Sequence, residues 1–341
     1  MEHTTHLAII GAGISGVSCA HSLQQAGVKV SLFDKSTGPA GRMSTRRANE
    51  WQCDHGAQYF TAQDPAFRAE VARWQQAGVA QLWAPRLQVL GGGNLSIQDQ
   101  IMERFVGVPR MTTPAHFVCD TLALTTQTTI QRIARQAEGW YLYSAASGWL
   151  DKRFDAVLLA LPAPQAARLL QAPAPELAAV ANSAHMRGCW CLMVRFEAPL
   201  ALPFDAAFVN FGPLRWVARD SSKPGRGGQE TWVLHASADW SDAHLEQDAD
   251  SVADSLLQAF GQLGAPAPEA WTAHRWRYAS TDPALSKGCV WDAEAGIGLC
   301  GDWLNGGTVE GAWLSGRQLA QQVLDHFRND LKAHAPDEAS T

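Results

Sequence analysis

The chain of 341 residues is about twice the size of an ordinary single domain, so it holds two domains or one large α/β unit with an insertion. Apolar residues make up 46% of it and charged residues only 18%, which excludes a disordered or fibrous chain. The net charge of −6 comes without a block of like charges, which argues against nucleic acid or an anionic membrane as partner.

The first six residues lack the positive region of a signal peptide, and no apolar stretch reaches the roughly 18 to 20 residues of a membrane span. A soluble, cytoplasmic protein is expected. Residues 6–10 form an apolar strand, Gly11-Ala-Gly13-Ile-Ser-Gly16 a turn, and 17–25 a helix stopped by Gly27. A second strand, 28–33, ends at Asp34. This is the βαβ dinucleotide fingerprint in its proper context, with Gly13 admitting a pyrophosphate and Asp34 placed for ribose hydroxyls. By itself it does not distinguish NAD from FAD. The loop Ser36-Thr-Gly38-Pro-Ala-Gly41-Arg42-Met43 then brings a guanidinium toward the same anion. Far downstream, the strand Ile297-Gly-Leu-Cys-Gly301-Asp302 and the helix opening at Val309-Glu310-Gly311 make a second junction suited to the ribityl end of FAD.

Between these ends the pattern changes. Phe67, Val71 and Trp74 fall at helical spacing, and alternating runs at 190–196, 231–236 and 271–278 read as antiparallel strands. Turns are expected at 223–228 and 264–268. Strands near 129–131 and 154–162 return to the cofactor domain. The expected fold class is α/β, α+β overall: a discontinuous Rossmann-like FAD-binding domain (1–58, 107–165, 285–330) with an inserted antiparallel-sheet-plus-helix substrate domain (59–106, 166–284). Residues 331–341 read as a disordered tail. Seven dispersed cysteines read as small buried hydrophobes; Cys189 and Cys191 share a strand face, but nothing completes a metal site.

Gly11-Ala-Gly-Ile-Ser-Gly16, Phe33-Asp34-Lys35-Ser36, Gly41-Arg42-Met43, Gly56-Ala-Gln-Tyr-Phe-Thr61, His274-Arg-Trp-Arg-Tyr278, Cys300-Gly-Asp-Trp303 and Val309-Glu-Gly-Ala-Trp-Leu-Ser-Gly316 together resemble the renalases, the bacterial ones in particular, from His6 to about Phe327. The resemblance implies an FAD enzyme with a fold like p-hydroxybenzoate hydroxylase or the monoamine oxidases. Such enzymes oxidise the 1,2-dihydro, and in some members the 1,6-dihydro, isomers of NAD(P)H to NAD(P)+, with flavin N5 accepting hydride and O2 returning hydrogen peroxide. It places FAD contacts on Gly11, Ala12, Gly13, Ile14, Ser15, Gly16, Asp34, Lys35, Gly41, Arg42, Gly56, Ala57, Gln58, Ile130, Asp302 and Val309. Substrate contacts fall on Tyr59, Phe60, Thr61, Ala62 and Gln63, and further on Gln98 and Cys189. Arg110 departs from the family, which carries Gly there; the backbone is shifted or the guanidinium reaches an anionic ligand.

The residues agree with that chemistry. A dihydropyridine can release hydride without prior loss of a proton, so orientation matters more than an acid or base, and no Ser/His/Asp or paired-carboxylate constellation is present. Alternation sends His274, Trp276 and Tyr278 to one strand face and Arg275 and Arg277 to the other. His235 and Trp276 join the expected substrate residues. Trp is heavily used, with 14 against 4 Tyr. Trp74 reads as packing, whereas Trp232, Trp276, Trp303 and Trp313 are expected beside flavin and substrate. The same motifs also suit a flavin amine oxidase on a small or polyamine substrate, or a binding protein in which FAD is structural.

Overall fold

The computed structural model describes residues 4–48 and 51–333. The chain forms two compact units, one from Met1–Gly41, Val118–His185 and Pro283–Thr341, the other from Arg42–Phe117 and Met186–Asp282.

The first unit is built on a six-stranded sheet in the order Val290–Asp292, Ile297–Leu299, Ala156–Leu159, His6–Ile10, Lys29–Phe33, Leu124–Thr125. All neighbours are parallel except the edge strand Val290–Asp292. The central strands are continuous apolar runs because both faces are buried: Leu7, Ala8, Ile9, Val157, Leu158 and Leu299 have no exposed surface. The helix Ile14–Gln25 follows the glycine-rich turn and packs against the last helix, Val309–Ala333. That helix runs past the sequence-predicted boundary near Leu331, and 334–341 of the expected tail lie outside the described residues. A meander of Ile130–Gln136, Gly139–Ser144 and Gly148–Trp149 forms a separate three-stranded sheet.

The second unit is a six-stranded sheet in the order Ala270–Thr281, Met186–Phe196, Glu230–Ala236, Leu214–Arg219, Ala206–Val209, Leu87–Leu90, antiparallel except for the last pair. Strand alternation decides its two faces. Trp190, Leu192, Val194, Phe196, Trp232 and Leu234 pack onto the helix Ala249–Gln262 through Val252, Leu256 and Phe260. Cys191, Met193, Val233, His235 and His274 occupy the opposite face, in the register Cys191↔His235 and Cys191↔His274. The helix Pro65–Gln76 starts on Asp64, whose carboxylate accepts from the N–H groups of Ala66 and Phe67 at 2.8 and 3.3 Å, and it buries Phe67, Val71 and Trp74.

The units divide at 41/42, 117/118, 185/186 and 282/283, whereas the sequence suggested 58/59, 106/107, 165/166 and 284/285. The hairpin Thr45–Ala48 with Trp51–Asp54 belongs with the second unit because Trp51 Nε1 donates to Thr231 Oγ1 at 3.2 Å and Asp54 is salt-bridged to Lys223 and Arg226. The helices Ala163–Leu170 and Pro175–Asn182 pack on each other within the first unit. Among the described residues no helix is long and apolar enough to cross a membrane.

The helices Ile14–Gln25 and Val309–Ala333 meet at Gly316, where a Cβ would stand 2.1 Å from Ser15 O. Gly316→Ala is expected to cost about 1–3 kcal/mol by forcing the helices apart, read as a fall of several degrees in the thermal midpoint. An unchanged midpoint would show that the contact has room.

Candidate cofactor and substrate sites

In the first unit the sequence-predicted cofactor residues gather at the carboxyl ends of parallel strands. His6–Ile10 runs into Gly11, Lys29–Phe33 into Asp34, and Ile297–Leu299 into the segment holding Asp302. This end of an open parallel sheet is where such folds bind ligands. Gly11 adopts φ +104°, and a Cβ there would stand 2.4 Å from Ala160 O. Gly13 has nothing within 4 Å of the position a Cβ would take. The helix that begins at Ile14 has no side-chain cap and no acidic residue in its first turn, so its N–H groups and dipole are available to an anion. Ser15 Oγ is buried and has no hydrogen-bond partner. An unmet buried hydroxyl costs about 1–3 kcal/mol, and a phosphate oxygen at this turn would satisfy it. The Asp34 carboxylate accepts from Ala12 N and Ser36 N, both at 2.7 Å, which fixes its orientation and leaves lone pairs for ribose hydroxyls. These features fit a pyrophosphate-bearing dinucleotide.

The second junction is equally ordered. Ser315 Oγ accepts from Gly301 N at 2.9 Å, and Thr308 Oγ1 accepts from Gly311 N at 2.9 Å, setting the helix start at Val309. Asp302 is buried, Lys35 is exposed, and Ile130 opens its strand as a buried residue.

In the second unit, Arg42, Gly56, Ala57 and Gln58 come together: Ala57 N donates to Arg42 O at 2.9 Å, and a Cβ on Gly56 would stand 1.9 Å from that oxygen. The Arg42 guanidinium donates to Ala279 O at 3.3 Å. Beneath this turn lies a network that the sequence reading missed. Asp54 has no exposed side-chain surface and accepts from Thr45 Oγ1 at 2.6 Å, Met111 N at 3.1 Å, Lys223 Nζ at 3.5 Å and Arg226 Nη2. Lys223 Nζ also reaches Asp220 Oδ1 at 2.8 Å and Gln58 Oε1 at 3.1 Å. Burial pushes the Asp54 pKa up, but Lys223, Arg226 and the Thr45 hydroxyl outweigh it and hold the carboxyl below its ordinary range. Asp220 is shifted up, chiefly by burial. The segment 223–228 reads as a solvated turn from its Pro and Gly content, and its charges were the available signal that it carries more.

Above the network sits a cluster of rings. His55 O accepts from Trp276 Nε1 at 3.0 Å and makes a 3.1 Å hydrogen bond with His235 Nε2. The His55 ring stacks on Trp276 at 5.2 Å and meets His274 edge-on at 4.7 Å. Burial, followed by the charges of His274 and Arg46, lowers the His55 pKa to about 3; burial lowers that of His235 to about 4. Both are neutral imidazoles near pH 7, and His55 Nδ1 is buried without a hydrogen-bond partner.

The expected substrate residues separate. His235 and Trp276 are half-buried on the ring-bearing face, but each commits a ring nitrogen to His55 O, so they brace the 55–58 turn. Tyr59 is half-buried, 5.7 Å from Trp216 and 5.3 Å from the buried Arg104 guanidinium, another residue the sequence reading passed over. Phe60 is 3% exposed and packs against Phe67, Trp74 and Phe105, in a position set by backbone pairing with Phe105. Thr61 is half-buried, Ala62 is buried with its carbonyl accepting from Arg68, and Gln63 is exposed. Gln98 lies on the short helix Ile97–Ile101, and Cys189 is half-buried with burial raising its thiol to about 12. Of the tryptophans expected near the site, Trp232 faces the helix-packed core and Trp303 and Trp313 are buried in the first unit; only Trp276 stands on the ring-bearing face.

Comparison with known proteins gives the family. Residues 9–74 match the NAD(P)-binding Rossmann-like domain, and residues 78–324 match the family described as flavin containing amine oxidoreductase. A bifunctional protein of tRNA 5-methylaminomethyl-2-thiouridine biosynthesis from Magnetococcus marinus is 29% identical over 209 residues, which is 47% of this chain and 30% of that protein. An L-amino-acid oxidase from Siganus canaliculatus is 34% identical over 67 residues, 19% of this chain and 13% of its own. The chain thus spans less than a third of the length of these curated relatives. Among solved structures, cyclohexylamine oxidase from Brevibacterium oxydans superposes with a TM-score of 0.72 at 11% identity, over 96% of this chain and 100% of that one. Putrescine oxidase gives 0.70 at 12% identity over 94% and 99%. At these identities the likeness is one of fold.

Replacing Asp34 with Ala removes the acceptor for Ala12 N and Ser36 N, and flavin absorbance per protein should fall after gel filtration; full retention would refute its role. Acid should destabilise the second unit in a defined window. The unfolded state takes up protons at the ordinary imidazole value of 6.5, whereas folded His235 and His55 resist until about 4 and about 3, so stability is lost as pH falls from 6.5 toward those values. Thermal midpoints measured across this range should decline on acidification, with a shallower slope in His235→Gln. An identical slope in the variant would exclude His235 as a cause.

Proposed function

This chain belongs to the flavin-containing amine oxidoreductase family, with FAD as its cofactor, and from that premise we propose that it oxidises 1,2-dihydro isomers of NAD(P)H, and 1,6-dihydro isomers by the same route, to NAD(P)+. The observation that carries this reading is the ring cluster of His55, His235, His274 and Trp276, in which burial keeps His55 and His235 neutral, with the nearby carboxylates Asp54 and Asp220 committed to Lys223 and Arg226. A protonated amine must lose a proton before it can give up hydride, and so calls for a base. A dihydropyridine needs none, because release of hydride restores its aromaticity.

Bound FAD supplies a two-electron acceptor for that hydride. The residues of this chain bind and orient. In the first unit, the turn at Gly11 to Gly16, Ser15 Oγ and Asp34 would hold the pyrophosphate and ribose of the cofactor. In the second unit the rings exclude water, and His55 Nδ1 offers one hydrogen bond to a carboxamide. Lys223 holds the Gln58 amide through its oxygen, while Gln58 Nε2 donates to Asp54 O at 2.6 Å and Gly56 O at 3.1 Å, so the 56–58 turn keeps one geometry. The net reaction takes one proton and O2 with each dihydronicotinamide and releases hydrogen peroxide with NAD(P)+.

Mixed anaerobically with 1,2-dihydro-NAD, the FAD-loaded protein should bleach rapidly, and with ordinary 1,4-NADH slowly. Equal or faster bleaching by 1,4-NADH, or rapid bleaching only by small amines or polyamines, would overturn the reading.

A further inference from the structure

Apart from the cofactor turn and the ring cluster, the second unit carries an open cleft of about 280 Å³ whose lining includes Arg47, Trp51, Arg110, Arg226 and Thr231. Three separate stretches of chain supply its arginines, and Asp220, paired with Lys223, also lines it. Arg47 comes from the strand Thr45–Ala48, Arg110 from the loop after the Val108–Pro109 peptide, and Arg226 from the 223–228 loop. The last two loops pack together: Gly225 takes φ +75°, and a Cβ there would stand 2.9 Å from Val108 Cγ1 and 3.1 Å from Pro109 Cα.

Charge matching within the cleft is incomplete. Asp54 and Asp220 face Lys223 and Arg226, but among the described residues Arg47 and Arg110 have no carboxylate partner. The His116 pKa is lowered by burial and then by the charges of Arg110 and Arg47, so both fields reach one ring. Arg226 is 6% exposed and donates through Nη1 to Gly107 O and Pro224 O and through Nη2 to Asp54, yet its Nε is buried with no partner. A buried charged donor left unmet is costly, and an anion in the cleft would satisfy it. One carboxylate is matched by a single guanidinium fork. Three guanidinium groups suit a group with three terminal oxygens and up to two charges.

We propose that this cleft binds a phosphoryl group, at a site separate from the dinucleotide turn of the first unit. Arg110, which departs from the glycine of the resembled family, is then a ligand-contacting residue. The phosphoryl group comes either as free phosphate or as a phosphomonoester on a nucleotide such as the 2′-phosphate of NADP+.

The test is calorimetric titration of the FAD-loaded protein at low ionic strength with inorganic phosphate, NADP+ and NAD+, repeated on Arg110→Gln and Arg47→Gln. Both side chains lie outside the buried ion network, so unchanged thermal midpoints are expected and are measured alongside. The wild-type protein should bind phosphate saturably with a Kd below about 1 mM, and each variant should weaken binding by at least about tenfold. Tighter binding of NADP+ than NAD+, with the difference lost in Arg110→Gln, would identify the phosphomonoester as the source; equal NADP+ and NAD+ affinities alongside phosphate binding would identify the free ion. No saturable binding of phosphate, or phosphate affinity unchanged in both variants, would overturn the proposal.

Discussion

A carboxylate with no exposed surface, Asp54, ties together three stretches of the second unit: its own hairpin through Thr45, the 107–111 loop through Met111 N, and the 223–228 loop through Lys223 and Arg226. The desolvation of each ion costs several kcal/mol, which is recovered only when all partners are in place; removing one partner of such a group costs about 3–5 kcal/mol. The network therefore behaves as a unit. It fixes the Gln58 amide through Lys223 and positions Arg226 at the cleft. The opposing shifts of Asp54 and Asp220 follow from the same arrangement: Asp54 gathers most of the donors, while Asp220 has Lys223 as its main compensation for burial.

The two units use opposite electrostatics. In the first, an uncapped helix N-terminus, an orphaned Ser15 hydroxyl and an oriented Asp34 carboxylate offer strong polar partners to a charged, hydroxyl-rich ligand. In the ring cluster of the second, burial keeps His55 and His235 neutral, and His235 Nε2 and Trp276 Nε1 are spent on the His55 carbonyl, bracing a turn. Such a surface accepts a flat, uncharged ring at little desolvation cost. Ionised groups are present directly beneath it, but paired and out of reach of solvent.

The cofactor-binding half was legible in the sequence because its determinants are local. A strand, a glycine-rich turn, a helix and an acid occur within a few dozen residues, and the backbone conformations they require admit few alternatives; Gly11, Gly13, Asp34 and the Val309 junction stand where the spacing put them. Strand alternation likewise predicted which faces His274, Trp276, Arg275 and Arg277 take. The core packing of Phe60 and Trp232 was not legible because motif proximity and residue type do not reveal which side of a chain meets the core; Phe60 pairs with Phe105, and Trp232 faces the helix Ala249–Gln262.

What the sequence determined by itself was thus the fold class, the dinucleotide turn and the periodic faces, all encoded in contiguous residues. Only the tertiary structure decided that Asp54, Asp220, Lys223 and Arg226 form one buried network, that His55 anchors His235 and Trp276, and that Arg47, Arg110 and Arg226 share a cleft. Asp54 and Arg226 are 172 positions apart in the chain. No local propensity links residues at that separation; their pairing exists because folding removes them from water together, and each then requires the other.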